Sequence, residues 1–237
     1  MRSIPWLRVL IEGVVIVGSI LLAFGIDAWW EGRQERAEET RALESLVSEL
    51  QENLGVVDQA MQRHDSIVDA AALLARMSKG EVSPPANGAE MLRIFRFSLS
   101  RMQSTNFPSG SLTALLASGE IGLIRNSEIR SRVAAWPSVV EEVLEDEQMS
   151  LRASEQVYLP FIAAHVPSYY LVGAGVAEQQ QAAAEISETL GSDQLEGLLG
   201  QRIIRHENVL GDFGRMRTTL SELIKLIGEE LEGRRPS

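Results

Sequence analysis

The chain has 237 residues, 45% hydrophobic and 23% charged, a composition that supports a packed core and excludes an intrinsically disordered polymer. Thirty-three acidic against 22 basic residues give a formal charge of −11, a field that repels phosphate backbones and argues against nucleic acid as a partner. There is no cysteine, which excludes disulfides, thiolate metal sites and a cysteine nucleophile.

The first thirty residues differ from everything that follows. From Gly13 to Ile26 fourteen consecutive residues carry no charge. As a helix, the stretch from Ile4 to Trp30 is roughly 40 Å long at about 1.5 Å per residue, enough to cross a hydrocarbon core of about 30 Å. Trp6 marks one end, Trp29 and Trp30 the other, where indoles keep the ring in lipid and the N–H near headgroup water. The pattern predicts a transmembrane anchor over residues 1–30. A cleaved signal peptide is the competing reading, with Arg2 and Arg8 as its basic region and Ala23-Phe24-Gly25 as a small-x-small cleavage site. Glu12 inside the apolar region and the paired tryptophans speak against it, and the polar run after Trp30 speaks against a buried core helix. The flanking charges favour a cytoplasmic N-terminus and an extramembrane domain on the periplasmic side of a bacterial inner membrane.

Two acids punctuate this segment. An intramembrane carboxylate is by default a functional candidate, so Glu12 and Asp27 could handle protons or ions in an oligomeric bundle. The structural account pairs Glu12 with Arg8, four residues earlier on the same face, and leaves Asp27 beside the tryptophans where water is close. Gly18, Ser19, Ala23 and Gly25 offer close-approach surfaces for a second helix.

Beyond the anchor, residues 31–237 are expected to form one helical-bundle domain. The polar run continues without proline, so the membrane helix extends outward as a rod to about residue 79, where Gly80 and Pro84-Pro85 end it. Leu43, Val47, Leu50, Leu54, Val57 and Met61 trace a heptad seam, prolonged by His64, Val68, Ala71 and Ala75. Shorter helices occupy about 89–166: one through Met91, Phe95 and Met102, one from Ser111 to Ala117 stopped by Gly119, and one capped by Asn126 and kinked at Pro137. An irregular loop in the 160s and 170s precedes helices over about 176–232. The last of these carries a second seam through Leu199, Ile203, His206, Leu210, Phe213, Arg217, Leu220, Ile224, Ile227 and Leu231, with Met216 able to replace Arg217. Its glycines, Gly197, Gly200, Gly211, Gly214 and Gly228, either permit close helix contact or break it into shorter pieces. No strand alternation and no internal repeat is found. The fold class is all-α, an elongated bundle in which the long first and last helices pack as antiparallel neighbours, or in which both seams zip between subunits.

The stretches ILLAFGIDAWWEGRQERAEETRALESLVSELQENL and SLTALLASGEIGLIRNSEIRSRVAAW resemble a bacterial family of uncharacterised single-pass membrane proteins. The resemblance rests on Glu12, Asp27, Trp29, Glu31, Ser118, Gly119, Glu120, Leu123, Ile124 and Asn126, about a quarter of the chain. Trp30 and the Glu12-Gly13 order depart from the family pattern. The resemblance implies an anchor with a helical domain and brings no activity, cofactor or catalytic residue.

Searching for chemistry gives little. His64, His165 and His206 have no zinc-ligand spacing, Gly173-Ala174-Gly175-Val176 lacks the lysine of a phosphate loop, and Phe107-Pro108-Ser109-Gly110-Ser111 is not a hydrolase elbow. Glu141, Glu142, Glu145, Asp146 and Glu147 read as a solvated helix face rather than a calcium site. Ser118-Gly119-Glu120 reads as a helix terminus, or as a recognition turn for a partner. No catalytic, cofactor or metal site is expected. The leading expectation is a non-enzymatic scaffold in the lipid bilayer, working through self-association or docking to another membrane protein. The alternatives are a ligand sensor built around Trp136, Tyr158, Tyr169 and Tyr170, and an ion-conducting subunit using Glu12 and Asp27.

Overall fold

The computed structural model describes residues 6–102, 104–167 and 175–234, with side chains of the first helix placed from Glu12 onward, Val14 excepted. The Arg8–Glu12 pairing and the roles of Arg2, Tyr169 and Tyr170 fall outside the described atoms. No strand occurs among the described residues, and the fold is the all-α bundle that the periodicity requires.

Helix α1 spans Trp6–Ser78, 73 residues and about 110 Å at about 1.5 Å per residue. Its start is long and apolar enough to cross a bilayer, and in the spanning window none of the residues is buried by the protein. It ends where glycine permits: Gly80 takes φ 72°, its N–H donates to the Met77 carbonyl and the Glu81 N–H to that of Arg76. These two bonds satisfy carbonyls that the last turn would leave unpaired.

Among the described residues, six further α-helices build the bundle around the outer half of α1. They are α2 (Gly88–Phe95), α3 (Gly110–Ala117), α4 (Ser127–Ala153), α5 (Leu159–His165), α6 (Val176–Thr189) and α7 (Asp193–Glu232). A wider π turn, Arg96–Ser100, prolongs α2, and another, Ser154–Tyr158, joins α4 to α5. Asn87 caps α2 through the Ala89 N–H, Asn126 caps α4 through the Glu128 and Ile129 N–H groups, and Ser192 caps α7 through that of Leu195. Helix α4 runs on through Pro137.

Helices α1 and α7 form the antiparallel spine. Both seams keep the predicted heptad spacing, but every second position moves by one residue. In α1 the buried stripe is Leu43, Leu46, Leu50, Asn53, Val57, Ala60, His64, Ile67, Ala71 and Leu74, while Val47, Leu54 and Met61 lie on its flank. In α7 it is Leu195, Leu199, Arg202, His206, Val209, Phe213, Met216, Leu220, Leu223 and Ile227, with Ile203, Leu210 and Ile224 on the flank. At two of these positions the cause is chemical. Asn53 and Arg202 lie inside because distant segments supply their hydrogen-bond partners, and choosing the most apolar neighbour therefore selects Leu54 and Ile203 wrongly. The pairing of α1 with α7 within one chain also accounts for both seams without a second subunit.

The glycines of α7 fulfil neither expectation. The helix is continuous from Asp193 to Glu232, and a Cβ placed at Gly197, Gly200, Gly214 or Gly228 would meet no neighbouring atom within 4 Å. Gly88 is the position with no room. A Cβ there would lie 2.7 Å from the Gln179 carbonyl oxygen and 2.9 Å from the Gln180 Cα, so only glycine lets the start of α2 rest on the backbone of α6.

Two apolar cores result. The one nearer the apolar end of α1 joins Leu43 to Ala60 with α3, α4 and the second half of α7, around Trp136, Ile129 and Phe213. The far one joins Ala71, Leu74 and Met77 with α2, α5, α6 and the start of α7, around Phe95, Tyr158 and Ile186. A belt of buried polar side chains separates them.

Candidate functional site: a buried polar belt and an exposed apolar helix

The belt is assembled from α1, α4 and α7, each contributing at the level where its seam turns polar. His64, Glu147, Ser150 and His206 are each 3% exposed or less. Antiparallel packing brings the two seam histidines together, with His64 Nδ1 2.7 Å from His206 Nδ1. His64 Nε2 lies 3.4 Å from Glu147 Oε1, and His206 Nε2 lies 3.4 Å from Ser150 Oγ. One hydrogen arrangement satisfies every member: Ser150 donates to His206 Nε2, His206 Nδ1–H to His64 Nδ1, and His64 Nε2–H to Glu147. Burial, with the positive charge of Arg202, pushes His206 down to about 2, so its imidazole is neutral as this chain requires.

Glu147 corrects the reading of its cluster as a solvated face. Glu141, Glu142 and Glu145 do face solvent, but Glu147 lies one turn beyond buried Val143, itself a heptad beyond Trp136, on the same stripe and turns inward. It accepts the Thr105 N–H at 2.7 Å and the Thr105 hydroxyl at 2.6 Å. Burial alone would raise its carboxyl, but the hydrogen bonds from His64 and Thr105 outweigh that and hold it below the usual range. Nearby, burial and a hydrogen bond with Asp146 push Asp212 up to about 6.

Arg202 is fully buried, and among the described residues no carboxylate pairs with it. Its guanidinium donates to the Ser98 carbonyl at 3.1 Å, to the Arg101 carbonyl at 2.5 Å and to Ser154 Oγ at 2.5 Å, and lies 4.9 Å from the centroid of the Tyr158 ring. The two carbonyls belong to the end of the π turn after α2, where the helix dipole is negative, so oriented dipoles and an aromatic face replace a counter-ion. Burial lowers the guanidinium to about 10, and it stays charged at neutral pH.

Together these groups strap down an irregular segment. Arg202 holds Arg101, Glu147 holds Thr105, and Asn53 donates to the Pro108 carbonyl at 3.0 Å. Glu49 accepts the Ser111 and Leu112 N–H groups, at 2.5 and 3.2 Å, and so caps α3 from another helix. The space enclosed among His64, Glu147, Ser150 and His206 is about 10 Å³, room for a single water and not for a substrate. Its chemistry is positional: it fixes where the chain between α2 and α3 runs.

The residues expected to act in the anchor lie together on the apolar stretch of α1, all exposed. Ser19 donates to the Val15 carbonyl at 2.8 Å, and Gly18 and Gly25 have open space around them. Ala23, Asp27 and Glu12 are likewise exposed, and the Trp29 and Trp30 rings stand 6.4 Å apart. Ser118-Gly119-Glu120 is a helix terminus in geometry: Gly119 has φ 76°, and Ser118 Oγ accepts the Glu120 N–H. It sits at the end of the bundle nearest the apolar stretch, since Arg125, just beyond it, donates its N–H to Glu39.

Other sequence candidates are not brought together. Trp136 belongs to the near core and Tyr158 to the far one, so they line no common pocket. His165 interacts with the Phe161 carbonyl at the end of α5, away from the other histidines. No cluster of three or more metal-ligating side chains is arranged to hold an ion among the described residues. What sequence reasoning missed is the belt itself, although one signal was present: two histidines on seams expected to pack antiparallel. Compared with protein families, curated proteins and solved structures, the chain matches none.

Proposed function

We propose that the protein is a non-enzymatic scaffold, anchored in a bacterial inner membrane by α1 and presenting its bundle on the periplasmic side for self-association or for docking to another membrane protein. The observation that carries this is the continuity of α1. One helix has apolar side chains exposed on all sides from Val15 to Trp30, and the same helix becomes the central strut of a bundle with complete cores. Exposed apolar surface of that extent is stable in lipid and costly in water. The buried, mutually bonded histidines and a cavity that holds no more than a water support a positional role for the belt rather than a reactive one.

Membrane fractionation with a protease-accessible C-terminal tag tests anchoring and sidedness together. Assembly is tested by mass measurement in nanodiscs. The absence of native cysteine lets a single Ser19→Cys variant report helix proximity by disulfide crosslinking. A strictly monomeric, uncrosslinked protein would sink the scaffold reading.

A further inference from the structure

The first turns of α1 beyond Trp30 have two faces. At about 100° per residue, Trp29, Gly32, Arg33, Arg36 and Thr40 fall within a sector about 100° wide, and Glu31 and Glu38 fall on the opposite side. The bundle first meets α1 at Glu35 and Glu39, so Arg33 stands before it and Arg36 at its edge, and both side chains are exposed. Helical side chains lean toward the helix N-terminus, which here is the apolar end. The Arg33 guanidinium shows this lean, its carbon lying 5.6 Å from the centroid of the Trp29 ring one turn back.

The arginines that other segments bring to this level are already committed. Arg125 pairs with Glu35 at 3.1 Å, and Arg234 pairs with buried Glu39 at 2.9 Å and with Glu230 at 2.8 Å. Arg33 and Arg36 make no ion pair among the described residues. Between them, Ala28, Trp29, Gly32, Arg33 and Arg36 line an open recess of about 420 Å³, whose floor is Gly32 with no atom near its Cβ position.

We infer that this recess holds the phosphate of an anionic phospholipid headgroup, gripped by Arg33 and Arg36 with the Trp29 indole at the edge of the acyl region. The assignment rests on the anchoring of α1 proposed above. Position selects the lipid over a free anion, because the recess lies within one or two turns of the apolar stretch, at headgroup depth. Charge selects an anionic lipid, because two guanidiniums without an ion pair face the recess, and the carboxylates bordering it, Glu35 and Glu39, are already paired with Arg125 and Arg234.

The full chain, reconstituted in nanodiscs of equal phosphatidylglycerol and phosphatidylcholine and released into native mass spectrometry, should retain phosphatidylglycerol preferentially. The doubly substituted Arg33→Gln, Arg36→Gln chain should lose that retention by about tenfold or more; Arg33→Lys with Arg36→Lys should keep part of it. Unchanged retention in the glutamine variant, equal retention of phosphatidylcholine, or displacement by millimolar inorganic phosphate overturns the assignment. Alkaline extraction run in parallel separates the two ideas: release of the wild type from membranes defeats the anchor, whereas an integrated protein with indifferent arginines defeats only the lipid site. Circular dichroism melting of the variants should match the wild type, because among the described residues neither arginine makes an ion pair or side-chain hydrogen bond with the bundle.

Discussion

Between Val15 and Trp30 the large apolar side chains of α1 are at least half exposed, whereas further along the same helix Leu43, Leu46 and Leu50 are 1% exposed or less. Aliphatic content alone does not separate the two regions, although only the first has a long run without charge. Angular distribution does. In the first region apolar groups surround the helix, and no single protein face could cover them; in the second they form one stripe at heptad spacing, which a single partner helix covers. The polar belt sharpens the contrast. Lipid tolerates few polar groups, while the bundle interior accepts Arg202, His64 and Glu147 because folding brings them donors and acceptors from far away in the chain.

The largest effect that would break this contrast is in the apolar region. Leu21→Arg combined with Leu22→Arg should cost about 5 kcal/mol or more of membrane insertion and move the protein out of the membrane fraction, with no change in the melting of the bundle. The converse is Arg202→Met, which strands the Ser98 and Arg101 carbonyls. It should cost the bundle about 3 kcal/mol, seen as a melting temperature lower by roughly 6–12 °C, with membrane fractionation unaltered. A co-fall of both properties in either variant would show that the two regions are not independent.

Acid probes the belt by a smaller amount. Unfolded His206 takes up a proton near pH 6.5, whereas the buried residue refuses it until about pH 2. Its contribution is therefore full above pH 6.5 and falls as pH drops below it, by up to about 1.4 kcal/mol per pH unit. Glu147 acts in the same direction at lower pH, because its depressed value makes its contribution present above 4.5 and lost as pH falls through the folded value. Asp212 opposes both between 3.8 and about 6, where its raised value lets the folded protein keep a proton that the unfolded chain releases. Melting curves from pH 7 to 4.5 should show His206→Gln losing less stability than the wild type over that range.

The smallest expected effect has the opposite sign. Gly200→Ala fills open space on a continuous helix and should stabilise the bundle by about 1 kcal/mol. If the same substitution also shrinks the assembled mass in nanodiscs, the glycine face of α7 is where a partner packs.

The extent of legibility follows from how local each cause is. The rod, the stop at Gly80, the capping of α4 by Asn126, the left-handed Gly119 and the antiparallel spine were readable because hydrophobic period, caps and glycine conformation act within a few residues. The seam register failed at every second position, where adjacent residues compete for the stripe; at Asn53 and Arg202 the buried one is polar, and Glu147, another buried polar side chain, was misplaced too. Nothing within a turn of Glu147 announces Thr105, and nothing near Arg202 announces the carbonyls of Ser98 and Arg101. Burying a polar group is favourable only when its partners are present, and those partners sit 42 and about 100 residues away in the chain. The sequence by itself therefore determined that α1 joins a stretch long and apolar enough to cross a bilayer to a striped, bundle-forming stretch, and that the rest is an all-helical bundle. Which of its charged residues turn inward, and where the chain between α2 and α3 is pinned, was decided by tertiary packing, since only folding brings donor and acceptor together away from water.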